Sequence, residues 1–507
     1  MKPNLTRRDF LKFASLFSLS HAVPASIKGL PSKDKKNQNV LILVFDAWSA
    51  ANMSLYGYER ETTPKLERLA ENAIVYHNHY AGSHYTTPGT ASLLTGTTPW
   101  THHAFNVNAT VRDILAEKSI FHAFPGYHRL GYSHNAFADT LLRQFIGALD
   151  TYTPWERLYF ENDAVFTSAV SNDIDIAAIS KARALRQQDD GFSFSLFLSR
   201  LYEAYKKKRM ERISADFPRG VPDNEGVNFF LLEDGIDWVL SVTETTPQPF
   251  LGYYHFFPPH DPYHTREEFY NVFAHDGYEP INKPEHFFER MHSQEKIDLQ
   301  RRWYDEFILY VDAEFERLYR QLEQNDALDN TWLIVTTDHG EMFSRGILGH
   351  TKPIFYQPVM HVPLIVFPPG QDSRVDIHER TSALDLLPTL LQVTGQAEAD
   401  WAEGTVLPPF PGSEASKDRT LTSVQIEKLN KDGSIKEGTA MIIKDHYELF
   451  WFFGYEPIQE QGDVIELYDL DADPEELNNL YPQQKEVAEE LLGILRIELE
   501  QLDQSYG

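Results

Sequence analysis

Unbroken apolar runs alternate with stretches of helical period through most of the chain. Asn39-Val-Leu-Ile-Leu-Val-Phe-Asp46, residues 74–79, residues 249–256 and Thr331-Trp-Leu-Ile-Val-Thr-Thr-Asp338 are short and rich in β-branched and aromatic side chains. Such runs read as strands covered on both faces. Between the first two, a helix is expected over about 64–72, with Thr63 as N-cap ahead of Pro64, and another follows Pro88. This order predicts an α/β fold, a mainly parallel central sheet flanked by helices, over residues 39–395. The rhythm breaks at about 150–248, where a helical pattern over 194–212 carries the solvated run Lys206-Lys207-Lys208-Arg209. That stretch reads as a helical insertion able to shape a pocket. Beyond Gly395, short strands at 420–426, 439–444, 447–453 and 464–469 precede a closing helix at 482–502, which predicts a small antiparallel C-terminal α+β subdomain over 396–507.

The strand ends carry the candidate chemistry. In open parallel sheets the functional crevice lies beyond the carboxyl ends of the strands, so Asp46 and Asp338 should meet at one edge, with His339 beside them. Two carboxylates and an imidazole suit a divalent ion such as zinc, manganese or calcium. In His84-Tyr-Thr86-Thr-Pro-Gly-Thr-Ala-Ser-Leu-Leu-Thr-Gly96, Pro88 favours a first helical turn and Gly96 its end, which places Thr86 and Thr87 just before a helix N-terminus. Free N–H groups there favour an anion and the charge developing on a hydroxyl. A threonine hydroxyl needs a metal or a base to become a nucleophile, and the Asp46, Asp338, His339 set can supply that. Asn135 ends another expected strand and is a candidate ligand for a substrate oxygen. Prolines on both sides hold His260 in a loop. The alternation Asp469, Asp471, Asp473 lacks the glycine and terminal Glu of a calcium loop and reads as turn chemistry.

These segments, in this order, resemble the sulfatase-type members of the alkaline phosphatase superfamily. The resemblance runs from about residue 39 to 480. Its marks are Val40 to Asp46, Thr63-Pro-Lys-Leu-Glu-Arg-Leu-Ala70, Thr86 to Gly96, Pro258-Pro-His260-Asp-Pro-Tyr263, Asp338-His-Gly-Glu-Met342, Gly349-His-Thr-Lys352, His361-Val-Pro-Leu-Ile-Val366, Leu386-Leu-Pro-Thr-Leu390 and Leu467-Tyr-Asp-Leu-Asp-Ala-Asp-Pro474. It implies one divalent ion at Asp46, Thr86, Asp338 and His339. It also gives His260 and His350 roles at the transferred group or leaving oxygen, and Lys352 a contact with the transferred group. Asp261 and His264 could add a second ion, as in two-metal phosphodiesterases. His102 and His103 read as structural. The departures are specific: Thr86 stands where these enzymes carry the Cys or Ser converted to formylglycine, Thr90 stands where they carry Arg, and Ala47 follows Asp46. Formylglycine cannot form from Thr86. The expected activity is therefore cleavage of phosphate mono- or diesters through a phosphothreonine. The alternatives are a sulfuric ester hydrolase, a phosphoryl-group transferase and an inactive glycan-binding homologue.

Composition narrows the partners. A formal charge of −29 over 507 residues argues against a general nucleic-acid binder, leaving small-molecule, glycan-linked or lipid-linked phosphate or sulfate esters. With 42% hydrophobic residues, 13% aromatics and no cysteine, the chain can build a large core without disulfides. Thr6-Arg7-Arg8-Asp9-Phe10-Leu11-Lys12, followed by a short apolar stretch and Val23-Pro24-Ala25, reads as a twin-arginine signal peptide over 1–25. Residues 26–38 form a polar linker. The expectation is export of the folded protein by the twin-arginine machinery to the periplasm, cell surface or medium. No later run approaches the roughly 18 apolar residues of a membrane span.

Overall fold

The computed structural model describes residues 37–160, 204–205, 207–224, 228–288, 292–414, 416–458 and 462–504. The signal-peptide reading and most of the 194–212 helix lie outside those residues. Eight strands form the central sheet: β1 Asn39–Phe45, β2 Ile74–Tyr80, β3 His128–Ser133, β4 Thr151–Thr153, β5 Phe250–Phe256, β6 Thr331–Thr336, β7 Leu364–Phe367 and β8 Val375–Ser382. Their spatial order is β8-β2-β7-β6-β1-β5-β3-β4. All neighbours are parallel except β7, which runs antiparallel between β2 and β6. β1 is central, and all seven of its residues are buried, as its unbroken apolar run requires.

Strand alternation divides the core in two. Leu41, Leu43 and Phe45 of β1 face one layer with Phe250, Tyr254 and Phe256 of β5. There the sheet is covered by α1 Pro64–Leu69, by α4 Leu232–Thr245 and by the long α5 Gln294–Gln324. Helix α5 presents Tyr304, Phe307, Ile308, Val311, Phe315 and Leu318 at helical spacing, the stripe an amphipathic helix buries. Val40, Ile42 and Val44 face the other layer with Leu251, Tyr253, Trp332 and Ile334. That layer contains α2 Thr86–Thr95, α3 Ala136–Gln144 and α6 Leu386–Val393.

Two local expectations are corrected. Thr63 occupies the N-cap position of α1, but its hydroxyl accepts from Leu55 N; the helix's free N–H groups at Lys65 and Leu66 are met by buried Asp312 of α5 at 2.9 and 2.7 Å. Thr86 lies within the first turn of α2, with Tyr85 as the N-cap.

The C-terminal sheet is antiparallel, in the order β9 Leu421–Leu429, β10 Ile435–Lys444, β11 Tyr447–Phe453 and β12 Val464–Asp469. One face packs on α7 Lys485–Gln504 through Ile442, Leu449, Trp451 and Leu492. The other buries Met441, Ile443, Phe450 and Phe452 against Ile354, Tyr356 and Met360 of the larger domain. Leu407 and Phe410, just past 395, pack in the core of the larger domain, and Phe410 meets Trp332 at 5.6 Å. The Asp469 carboxylate accepts from Asp471 N and Ala472 N, and Asp473 accepts from Leu477 N and Asn478 N, which is the expected turn chemistry.

Candidate active site

Period-two alternation brings the site together. Asp46 follows Val44 on the α2 side of the sheet, Asp338 follows Thr336, and His255 follows Tyr253, each just beyond or at the carboxyl end of its strand. Ligand atoms of Asp46, Asp338 and His339 all lie within 4.8 Å of one another, and all three residues are fully buried. Helix α2 is pressed onto this cluster at Gly89, where an added Cβ would sit 2.3 Å from the Asp338 carbonyl oxygen. Only glycine permits that approach, and the approach sets Thr86 over the cluster.

Most polar atoms of the cluster are held by hydrogen bonds. His339 donates Nδ1–H to Gly340 O at 2.8 Å, so Nε2 carries the lone pair; it stands 3.3 Å from Thr86 Oγ, 3.5 Å from Asp46 Oδ1 and 3.6 Å from Asp338 Oδ2. Asn135 caps α3 by accepting from Phe137 N, and its amide nitrogen donates to Asp46 Oδ2 at 2.6 Å and to Thr86 Oγ at 3.3 Å. Its donors are thus committed to the centre itself. Asn135 positions Asp46 and Thr86, where the sequence had suggested a substrate contact. His255 Nε2 reaches Asp46 Oδ2 at 3.2 Å and Asp338 Oδ2 at 3.7 Å.

The centre fits a divalent ion. Asp46 Oδ1 and Asp338 Oδ2 are buried with no hydrogen-bond donor, a costly arrangement unless a cation meets them. Burial opposes charge on Asp46, yet the imidazoles of His260 and His255 hold its carboxyl well below the usual range. Burial and the Asp46 charge push Asp338 up to about 6. Burial and His350 keep His339 neutral, the form a metal ligand needs. Among the described residues no second group of three ligands is assembled. The His264 ring turns instead to Val221 O at 3.0 Å and Asp223 at 3.5 Å.

Outside this centre the imidazoles form a row. The His350 ring lies 4.2 Å from that of His339 and 4.8 Å from that of His260. His260 is braced by Phe257 and donates to Asp261 O at 2.7 Å. His350 Nδ1 meets Glu341 Oε1 at 3.0 Å in a buried pair; although burial opposes the imidazolium, Glu341 raises it to about 9. Lys352 is half-buried on the same loop and makes no ion pair among the described residues. His102 is buried and bonded to Ser92 and Ala104, a structural place.

His255 and Glu341 are the two members the sequence reading missed. The signal for His255 was its parity with Asp46 and Asp338 at a strand end. Glu341 had none beyond its place in the Asp338-His-Gly-Glu segment.

A family model described as Sulfatase matches residues 38–396, and one described as N-sulphoglucosamine sulphohydrolase, C-terminal, matches 349–505. Choline-sulfatase of Rhizobium meliloti (strain 1021) is 22% identical over 479 residues, covering 87% of this chain and 82% of its own. Phosphonate monoester hydrolase of Agrobacterium radiobacter superposes with a TM-score of 0.63 at 19% identity, over 93% of this chain and 96% of that one. A protein solved in complex with its substrate D-glucosamine-2-N,6-O-disulfate gives 0.62 at 17% identity, over 92% and 99%. At these identities the structural likenesses speak for the fold.

Proposed function

Because this chain belongs to the sulfatase family, within the alkaline phosphatase superfamily, we propose that its buried Asp46, Asp338, His339 centre cleaves the sulfuric ester of a saccharide or similar small molecule. At a coarser level the protein is a metal-dependent hydrolase of that superfamily, acting on sulfate or phosphate esters. The sulfuric ester is favoured over the phosphoric one by the comparisons, since both family models and the choline-sulfatase relative bear sulfatase names. The saccharide is favoured by the glucosamine disulfate bound to a protein of the same fold.

The observation that carries ester cleavage, whichever the ester, is Thr86 Oγ, 3.3 Å from both His339 Nε2 and Asn135 Nδ2, at the first turn of α2 and over two donor-less carboxylate oxygens. A divalent ion held by Asp46, Asp338 and His339 would acidify a nearby hydroxyl and neutralise ester oxygens. Thr86 attacks in line, Asn135 fixes its direction, and the N–H groups of the α2 turn face the developing negative charge. His350, protonated through Glu341, gives its Nε2 proton to the departing alcohol oxygen. Water then displaces Thr86 from the resulting ester, giving a proton back to the now neutral His350, while the departing Thr86 Oγ recovers from solvent the proton it gave up on attack.

Thr86 itself favours a second reading, phosphate mono- or diester cleavage through a phosphothreonine. A threonine ester carries no second hydroxyl on the same carbon to expel the bound group, so its release needs a second in-line attack, a familiar course at phosphorus. The twin-arginine reading of residues 1–25 adds the proposal that the ester is met outside the cytoplasm.

The deciding experiment is turnover of matched 4-nitrophenyl sulfate, phosphate, phosphodiester and phosphonate by ion-loaded protein, beside Thr86→Ser and Thr86→Ala. Sulfate turnover that is lost in Thr86→Ala and kept in Thr86→Ser supports the first reading. Phosphoester turnover alone supports the second. Full activity in Thr86→Ala overturns both.

A further inference from the structure

A cavity of about 1040 Å³ lies where the catalytic domain meets the C-terminal subdomain. It opens at the carboxyl ends of β2 and β8, with Asn78 and Tyr80 from one strand and His378 and Arg380 from the other. Its far side is formed by the hairpin at Asp445 and His446 and by the turn at Asp471. None of Thr86, His260, His350 and Lys352 lines it. Glu341 is the common wall, lining the cavity while its Oε1 holds His350 on the other side. The cavity is therefore beside the reacting centre and distinct from it, at a domain seam of the kind that often houses a ligand.

The lining selects a chemical class. Four tyrosines, Tyr56, Tyr58, Tyr80 and Tyr278, give amphipathic ring surface; the Tyr278 ring stands 5.3 Å from that of Tyr58 and lies under the Arg60 guanidinium at 4.5 Å. Lys417, Asp418 and Asp471 line it without an ion pair among the described residues. Both charge signs are thus present side by side. An apolar ligand would strand those charges away from water, and a dense polyanion would meet Asp418, Asp445 and Asp471 while Lys283, Arg301 and Arg380 of the same lining are engaged by Glu475 and by backbone carbonyls. Rings carrying many hydroxyls satisfy both demands: the hydroxyls pair with ammonium and carboxylate, and the C–H faces lie on tyrosine.

We propose that this cavity is a second, non-reacting saccharide-binding site that anchors a glycan chain beside the ester-cleaving centre. The proposal rests on the saccharide reading above, and it adds a place for sugar units away from the ester. Two linked contacts on one chain raise the effective concentration of its ester groups at Thr86.

The test is calorimetric titration of the full chain with a heparin-derived tetrasaccharide, a carrageenan-derived tetrasaccharide and the fully desulfated form of each. No turnover is read, so failure of this proposal and failure of the hydrolase reading stay separate. At least one desulfated tetrasaccharide is expected to bind. Its affinity should fall about tenfold in Tyr278→Ala and in Lys417→Ala, stay near wild type in Tyr278→Phe, and be unchanged in Thr86→Ala. Lys417 is exposed, so Lys417→Ala keeps the test valid should Tyr278→Ala fold poorly. Absence of binding by every tetrasaccharide, or binding indifferent to Tyr278 and Lys417, or binding abolished by Thr86→Ala, overturns the proposal.

Discussion

Changing Glu341 to Gln removes the charge that keeps His350 protonated while leaving an amide oxygen able to accept the same Nδ1–H. The pair is 3.0 Å apart and closed off from solvent. Burial alone lowers the His350 imidazole, and Glu341, helped by Asp46 and Asp261, overrides burial to bring it from 6.5 to about 9. That displacement corresponds to about 3 kcal/mol in favour of the imidazolium. In Glu341→Gln burial still opposes the imidazolium and its main counter-charge is gone, with only Asp46 and Asp261 left to favour it, so His350 moves down. The assay is kcat/KM against pH for the preferred 4-nitrophenyl ester. The wild-type alkaline limb is expected near pH 9, and the variant's limb should move down by about one unit or more. Stability follows with a defined sign. The folded value is raised, so the imidazolium's contribution is complete below pH 6.5 and is lost as pH climbs through about 9. The wild-type urea midpoint should therefore fall across that window more steeply than that of Glu341→Gln. Superimposable alkaline limbs in the two proteins would refute the assignment of His350 as the proton donor set by Glu341.

Other outcomes follow from the same geometry. Asn135→Ala deprives Asp46 of its 2.6 Å donor and Thr86 of its guide; a charged hydrogen bond of about 1.5–3 kcal/mol translates into a kcat lower by about ten- to a hundredfold, read in steady-state kinetics. Gly89→Ala drives a methyl to 2.3 Å from Asp338 O, so α2 must shift; a stability loss of about 1–3 kcal/mol by urea unfolding should accompany a larger loss of turnover. Dialysis against a chelator should abolish turnover, and titration with zinc or manganese should restore it. The restored protein should also resist unfolding more, by about 2.7 kcal/mol at a free ion concentration a hundred times Kd. Turnover that survives chelation would refute the ion at Asp46, Asp338 and His339.

The catalytic layer was legible because its determinants are local. β1 and β6 appear as buried apolar runs, and an aspartate just past the end of each must reach the same edge if the strands are parallel neighbours. Thr86 could be found from Pro88 and Gly96, although its place inside the first turn required the contact of Gly89 with Asp338 O. What the sequence hid were pairings between distant segments. Asp312 caps α1 from nearly 250 residues away, and nothing near Thr63 announces it. β7 reads like any other buried strand, and its reversed direction is settled by its neighbours β2 and β6. His255 sits in an aromatic strand that looks like plain core, and only its register against Val44 reveals that it turns toward Asp46.

The C-terminal sheet has a consequence for the order in which the molecule can be finished. Ser423 Oγ donates to Gly82 O at 2.8 Å, and Gln425 Nε2 donates to Phe105 O at 2.8 Å, the same carbonyl that the Tyr85 hydroxyl meets. β9 thereby braces both flanks of the segment that leads into Thr86. During synthesis the central-sheet strands β1 to β8 emerge first, and the nucleophile segment acquires these two supports only after residue 425 has left the ribosome. A nascent chain stalled before that point would hold every proposed ion ligand and Thr86 itself, yet still lack the brace that steadies the approach to them.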